Sequence, residues 1–266
     1  MKDLIILKIG GSSITKKAEN KFEMNEEILE RVAKEIAIAK KKKDFDLVLV
    51  CGVGPFGHTN VVNYNLNGKI KTLAQKEGVL KTKKDCDFVA LKVITALKKN
   101  GLIVNHLPGY KVCKQDERKV IFFETNSYKK LLEKNIIPVT TGTMVHDKSF
   151  NWSVMSGDTV ISELCKSLKP KKVLIGTDVN GIFTSDPKLN KKAELIELIT
   201  KQNLEKVLEQ CGESNSVDVT GGMKGKLDKL GKQLGNVPAE IFSLFIQKNL
   251  ENVLSGKEIK STKIKL

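Results

Sequence analysis

The sequence lacks the marks of several large protein classes. None of its apolar runs approaches the length of a membrane span, so no membrane contact is expected. The opening MKDLIILKIGG is too short in apolar residues for a secretory leader and has no small-residue cleavage site; it reads as a first strand running into glycine. Five cysteines (Cys51, Cys86, Cys113, Cys165, Cys211) are odd in number, widely spaced and without a C-x-x-C pair. That pattern argues against a disulfide frame or a zinc site and for reduced core thiols in the cytoplasm. Aromatic residues make up only 5%, and arginine occurs twice, at Arg31 and Arg118. The net charge of +15 is therefore almost wholly lysine. Base readout and stacking favour arginine forks and aromatic rings, so no nucleic acid partner is expected. A positive surface suits small anionic substrates instead. The densest run, Lys40–Lys43, closes a predicted helix, where cations suit both the dipole and water.

What is present is a regular alternation. Short apolar runs at 4–9, 47–51, 102–105, 120–123, 136–140, 173–177, 241–245 and 262–265 read as strands. Between them, Asn25–Lys43, Thr159–Leu168, Lys201–Leu208 and Met223–Leu234 have helical spacing, with Asn25 placed to cap the first. Strands alternating with helices imply βαβ units and a mostly parallel sheet covered on both faces: an α/β fold in one large domain. A loose seam is expected near residues 142–158, where Gly142, Asp147 and Gly157 interrupt the pattern. In such sheets ligands sit at the carboxyl ends of the strands, so the residues following each strand matter most.

Four such stretches carry chemistry. Lys8-Ile-Gly10-Gly11-Ser12 puts a lysine at a strand end before a glycine turn with unhindered N–H donors. Gly52-Val53-Gly54-Pro55-Phe56-Gly57-His58 follows the second strand. It matches the dinucleotide pattern G-x-G-x-x-G, and also a P-loop with His58 in the lysine's place. The dinucleotide pattern belongs in the first βαβ unit, and a P-loop needs a permanent charge that histidine cannot supply. Histidine does donate a hydrogen bond to a substrate oxygen, whereas His106 and His146, without such a setting, read as structural. Asp178 follows a buried strand, with Gly181 three residues on; a carboxylate there contacts Mg²⁺ or positions a lysine. Thr220-Gly221-Gly222 opens a helix carrying Lys224 and Lys226, a third place for an anion.

The ordered set "LKIGGS", "GVGPFGH", "SGD" with "TDVNGIFTSDPK", and "DVTGGMKGK" resembles the amino acid kinase superfamily, and most closely its archaeal isopentenyl phosphate kinase branch, with fosfomycin kinase near. The resemblance implies an αβα sandwich around a largely parallel sheet. It implies an acceptor lobe of about residues 1–155, a nucleotide lobe of about 156–266, and a homodimer. It also implies ATP and Mg²⁺, and phosphorylation of a small alkyl phosphate, with isopentenyl phosphate first. Another phosphonate, phosphate or carboxylate acceptor, or a non-catalytic nucleotide sensor, are the alternatives. By the same resemblance Lys8 and Lys226 contact the transferring phosphate, and Lys17 stabilises its developing charge. Gly10, Gly11, Ser12 and Gly54 supply donors. Thr177, Asp178, Gly181, Ile182, Gly221 and Gly222 line the nucleotide site. Val53, Gly54, His58 and Gly157 hold the acceptor. Cys51, Pro55 and Thr143 depart from the relatives' pattern around the acceptor. The acceptor tail is expected to rest on apolar side chains between His58 and about Leu107, such as Phe88, Val89 and Val93.

Overall fold

The computed structural model describes residues 2–16, 22–185, 187, 189–212 and 234–266. The chain opens with β1 (Asp3–Ile9), a one-turn α1 (Gly11–Ile14), the short pair β2 (Thr15–Lys16) and β3 (Glu23–Met24), and α2 (Glu26–Lys42). Next come β4 (Phe45–Cys51), α3 (Pro55–Asn63), α4 (Leu73–Lys99), β5 (Val104–His106) and α5 (Gly109–Val112). Then follow β6 (Cys113–Asp116), β7 (Lys119–Phe123), α6 (Asn126–Glu133), β8 (Ile137–Thr141), β9 (Thr143–Asp147) and β10 (Asn151–Met155). The last are α7 (Gly157–Leu168), β11 (Lys172–Thr177), β12 (Leu198–Thr200), α8 (Leu204–Gly212), β13 (Ala239–Ser243), α9 (Asn249–Ser255) and β14 (Ser261–Lys265).

The main sheet has the order β12-β14-β13-β11-β1-β4-β8-β5. The six strands from β13 to β5 are parallel, while β14 runs against β13 and β12 follows β14. Strand alternation divides the core. Ile5, Leu7, Ile9, Leu47, Leu49 and Cys51 enter one layer with α2, α4 and α9. Ile6, Val48 and Val50 enter the other, with Val160, Ile161 and Leu164 of α7. Lys8 shares the face of Ile6, so it emerges under α7. The helix α2 forms as its pattern requires: Asn25 Oδ1 accepts from Ile28 N at 3.4 Å, Glu26 and Glu27 occupy the first turn, and Lys40–Lys42 the last. Ile28, Leu29, Val32, Ala33 and Ile36 are its buried stripe.

The expected seam at 142–158 is instead a tight hairpin, β9 against β10. It belongs to a second, four-stranded sheet, β10-β9-β6-β7, which also takes the strand predicted at 120–123. Buried Asp147 ties this sheet together: it accepts from the N–H groups of Glu117, Arg118, Ser149 and Phe150 at 2.8–3.2 Å, and Ser153 Oγ lies at 2.7 Å. An aspartate that looks like an interruption in sequence is the hub of the turn. The predicted helix Met223–Leu234 lies outside the described residues, apart from its last residue.

Candidate active site

The pairing Cys51↔Ile9↔Gly176 with Cys51↔Thr141 and Thr177↔Ser243 brings the carboxyl ends of five strands to one edge. The first two loops leaving that edge interlock through their backbones. A Cβ on Gly11 would overlap Gly54 N and lie 2.8 Å from its Cα, and a Cβ on Gly52 would overlap Gly11 N. Gly54 has φ +52°, a region glycine occupies at little cost, and a side chain there would overlap Thr15 Oγ1. Gly10 N donates to Gly176 O at 2.8 Å, and a Cβ on Gly10 would stand 2.7 Å from that oxygen. The result is two glycine turns in direct contact, with no side chain between them.

Lys8 Nζ meets Asp158 Oδ1 at 2.5 Å, where Ser156 caps α7 by accepting from Thr159 N at 3.0 Å. Gly157 has room for a side chain: a Cβ there would make only ordinary contacts, with Val50 Cγ1 at 3.6 Å and Lys8 Cε at 4.0 Å. A helix start and a lysine thus face the same opening, a setting suited to an anion. Beside them Asp178 Oδ1 accepts from Ser12 Oγ at 3.1 Å and Thr177 Oγ1 at 3.0 Å, joining the first loop to the end of β11. Lys8, Gly10, Gly11, Ser12, Gly54, Gly157, Thr177 and Asp178 therefore gather at one edge. The partner that residue-by-residue reading missed is Asp158; its signal was the SGD stretch, read only for its glycine.

His58 is exposed one turn into α3, its N–H donating to Gly54 O at 3.2 Å. Val53 is half-buried and presses on Gly57, where a Cβ would come 2.5 Å from Val53 Cγ2. Gly181 has φ +154° and lies so close to Thr262 that any side chain would overlap Oγ1. Ile182 N donates to that same oxygen at 2.8 Å, its carbonyl accepts from Ile196 N at 2.8 Å, and its side chain is fully buried in the core, so this residue fixes the turn. Lys17, Gly221, Gly222 and Lys226 lie outside the described residues.

Toward the sheet edge the surroundings differ from the apolar tail surface expected. Val89 and Val93 are sealed in the core; Phe88 points outward and packs on Phe56 with ring centroids 5.6 Å apart. The side chains drawn together are polar and aromatic. Lys83 Nζ stands 4.1 Å from the Tyr110 ring and 4.5 Å from that of Trp152. Asp87 accepts from Tyr110 OH at 2.7 Å, and His106 Nε2 is 3.7 Å from its other oxygen. Burial pushes the Tyr110 hydroxyl up to about 12, helped by Asp87, and lowers His106. This cluster adjoins the glycine loops: one turn beyond Lys83, the Cys86 Sγ lies 3.6 Å from where a Gly57 Cβ would be. Burial also pushes the Cys51, Cys86, Cys113 and Cys165 thiols up to about 12, as for inert core cysteines. Among the described residues no group of three or more His, Cys, Asp or Glu could hold a metal ion, and no helix is long and apolar enough to cross a membrane.

A parallel α/β sheet with paired glycine turns, a strand-end lysine and a helix start at one edge defines a phosphate-handling enzyme. The chain belongs to the Amino acid kinase family, whose pattern matches residues 3–243, and it is a kinase. It is similar to the isopentenyl phosphate kinase of Methanothermobacter thermautotrophicus, with 30% identity over 268 residues covering 98% of each chain. The isopentenyl phosphate kinase of Methanocaldococcus jannaschii is 31% identical over 245 residues, 86% of this chain and 87% of that one. Among solved structures, one described as X-ray structures of isopentenyl phosphate kinase superposes with TM-score 0.80 and 26% identity, covering 98% of this chain and 99% of the other.

Proposed function

We propose that this kinase transfers the γ-phosphoryl group of ATP to isopentenyl phosphate, giving isopentenyl diphosphate for isoprenoid biosynthesis. The observation that carries the reading is the contact of the Gly10–Gly11 and Gly52–Gly54 turns beside Lys8. Two anions must meet in line, and phosphoryl transfer asks chiefly for positioning and charge compensation. Backbone N–H groups of two touching turns, with a lysine and a helix start, supply both. The near full-length similarity to two isopentenyl phosphate kinases supports the acceptor.

In this reading Lys8 and Lys226 contact the transferring phosphate and Lys17 stabilises its charge. Gly11, Ser12 and Gly54 donate hydrogen bonds, while Gly10, expected to be a fourth donor, has its N–H taken by Gly176 O and shapes the turn instead. Thr177, Asp178, Gly181, Ile182, Gly221 and Gly222 line the nucleotide site, and Val53, Gly54, His58 and Gly157 take the acceptor. Asp158 holds Lys8 aligned until the phosphates arrive. The acceptor is already an oxyanion, so no general base is required. The crevice suits a Mg²⁺ ion that arrives on the nucleotide rather than a resident one, since Mg²⁺ keeps most of its ligands as water and phosphate oxygens. Asp178 is the carboxylate assigned to it, and when bound the ion draws charge from the phosphate oxygens. The acceptor lobe spans about 1–155 and the nucleotide lobe about 156–266, in a cytoplasmic homodimer.

ADP release across a panel of acceptors tests the reading: isopentenyl phosphate, a short polar alkyl phosphate, a phosphonate and a carboxylate. Isopentenyl phosphate is expected to turn over fastest. A second reading, a polar phosphate or phosphonate acceptor, is favoured by one observation, the Lys83 and Asp87 charges in the far cluster; faster turnover of a polar member would establish it. No ADP from any acceptor would leave only a nucleotide-binding role.

A further inference from the structure

We infer that Arg31, on the sheet face opposite α7, is a positioning residue for the nucleotide half of the crevice, an inference that rests on the reading that ATP binds there. Arg31 is one of only two arginines in the chain. Its Nη2 donates to the carbonyl of Leu244, the residue at which the chain leaves β13, and its Nε stands 3.8 Å from Glu35 one turn further along α2. Glu35 is buried and accepts from Lys248 N at 2.8 Å and Glu251 N at 3.1 Å, which anchors the start of α9. Two neighbouring side chains of α2 thus grip the whole corner between β13 and α9. The guanidinium meets the carbonyl through Nη2 and the carboxylate through Nε, two nitrogens held apart in one rigid plane, a spread that the single nitrogen of an ammonium does not reproduce.

That corner bears on the crevice by direct contact. Leu244 N donates to Thr177 O at 2.8 Å, and the Leu244 side chain lies against Gly176, where a Cβ would come within 2.6–2.8 Å of it. Gly176 O is the acceptor for Gly10 N, and Thr177 Oγ1 and Ser12 Oγ both reach Asp178. A displaced Leu244 therefore moves the end of β11, and with it the Gly10 turn and the Asp178 carboxylate. Lys8 takes its partner from α7 on the other face, and the acceptor residues follow β4 or open α7, so the clamp touches none of them directly and meets the β4 loop only through Gly11.

The test uses Arg31→Ala and Arg31→Lys in the full chain. Thermal melts establish that each is folded, and a fluorescent ATP analogue measures nucleotide affinity without acceptor. Arg31→Ala is expected to raise the nucleotide Kd and the ATP KM by roughly three- to tenfold, with the acceptor KM unchanged. Arg31→Lys, which keeps the charge but only one donor nitrogen and no planar fork, is expected to fall between. A purely structural role would reduce the active fraction and kcat while leaving both KM values alone. That result, or an equal rise in both KM values, overturns the inference by itself. Failure of the unmodified chain to bind the analogue overturns the nucleotide reading together with it.

Discussion

At the centre of the crevice the floor is backbone: Gly11 and Gly54 nearly touch, and Gly52 rests on Gly11. Toward the edge at β5 the wall is side chain: Lys83 and Asp87 from α4, Tyr110 from α5 and Trp152 from β10. The difference teaches what each part can tolerate. A floor of backbone contacts leaves no room for a Cβ, so its residue types are close to forced, and in the proposed function its N–H donors would serve any phosphate alike. A wall assembled from three segments can exchange its side chains without moving the floor. It is the natural place for acceptor choice to be set.

The sharpest test of the floor is Lys8→Ala. In the proposed reaction it removes a cation facing developing charge, worth about 3–4 kcal/mol, so kcat is expected to fall roughly 10²- to 10³-fold while the melting temperature holds. Near-normal turnover would remove Lys8 from the floor. In the second sheet, which carries Trp152 of the wall, Asp147→Ala leaves four backbone N–H groups without their buried carboxylate and is expected to cost about 3 kcal/mol, read as a lower denaturation midpoint. Burial by itself would raise the Asp147 carboxyl, yet hydrogen bonds from Ser153, Phe150, Arg118 and Ser149 outweigh it and hold the group below its ordinary 3.8. A depressed carboxylate stabilises the fold above its unfolded value. Its contribution is therefore present above about pH 3.8 and lost as pH falls through the folded value, a slope that Asp147→Ala should flatten.

His58→Ala comes next in size. One hydrogen bond to a charged oxygen is worth about 1.5–3 kcal/mol, so acceptor kcat/KM should drop roughly ten- to two-hundredfold with the ATP KM unchanged. His58→Gln, keeping a donor at similar reach, should recover part of the loss. Weakened ATP binding with a normal acceptor KM would instead assign this loop to the nucleotide. The smallest effect is expected from Lys83→Met, which keeps an apolar stem beside Tyr110 and Trp152 and removes the charge. Preference for isopentenyl phosphate over a polar alkyl phosphate should rise about three- to tenfold, within the range of one pocket contact, while turnover on the better acceptor is kept. An unchanged preference would detach the wall from acceptor choice.

Much of this molecule was legible in one dimension. The strand and helix periods, the glycine pairs after β1 and β4, Lys8 at a strand end and Asp178 after a buried strand all follow from local rules, because a close backbone approach admits only glycine and a carboxyl strand end is where ligands collect. Gly157 was read only through resemblance, and its place beside Lys8 is a matter of how α7 crosses the sheet. The second sheet was illegible because β9 and β10 look interrupted; the aspartate that breaks their pattern is satisfied by N–H groups from two separate turns.

Spacing within single segments was enough to fix the parallel α/β architecture and the glycine turns, and the order of four segments along the chain was enough to fix the family. Only the tertiary structure decided that Asp158 holds Lys8, that Val89 and Val93 face the core while Lys83, Asp87, Tyr110 and Trp152 form the wall, and that Arg31 reaches across to Leu244. These are contacts between residues 23 to 213 positions apart, or choices of helix face. Sheet order and helix crossing set them, and no local pattern encodes either.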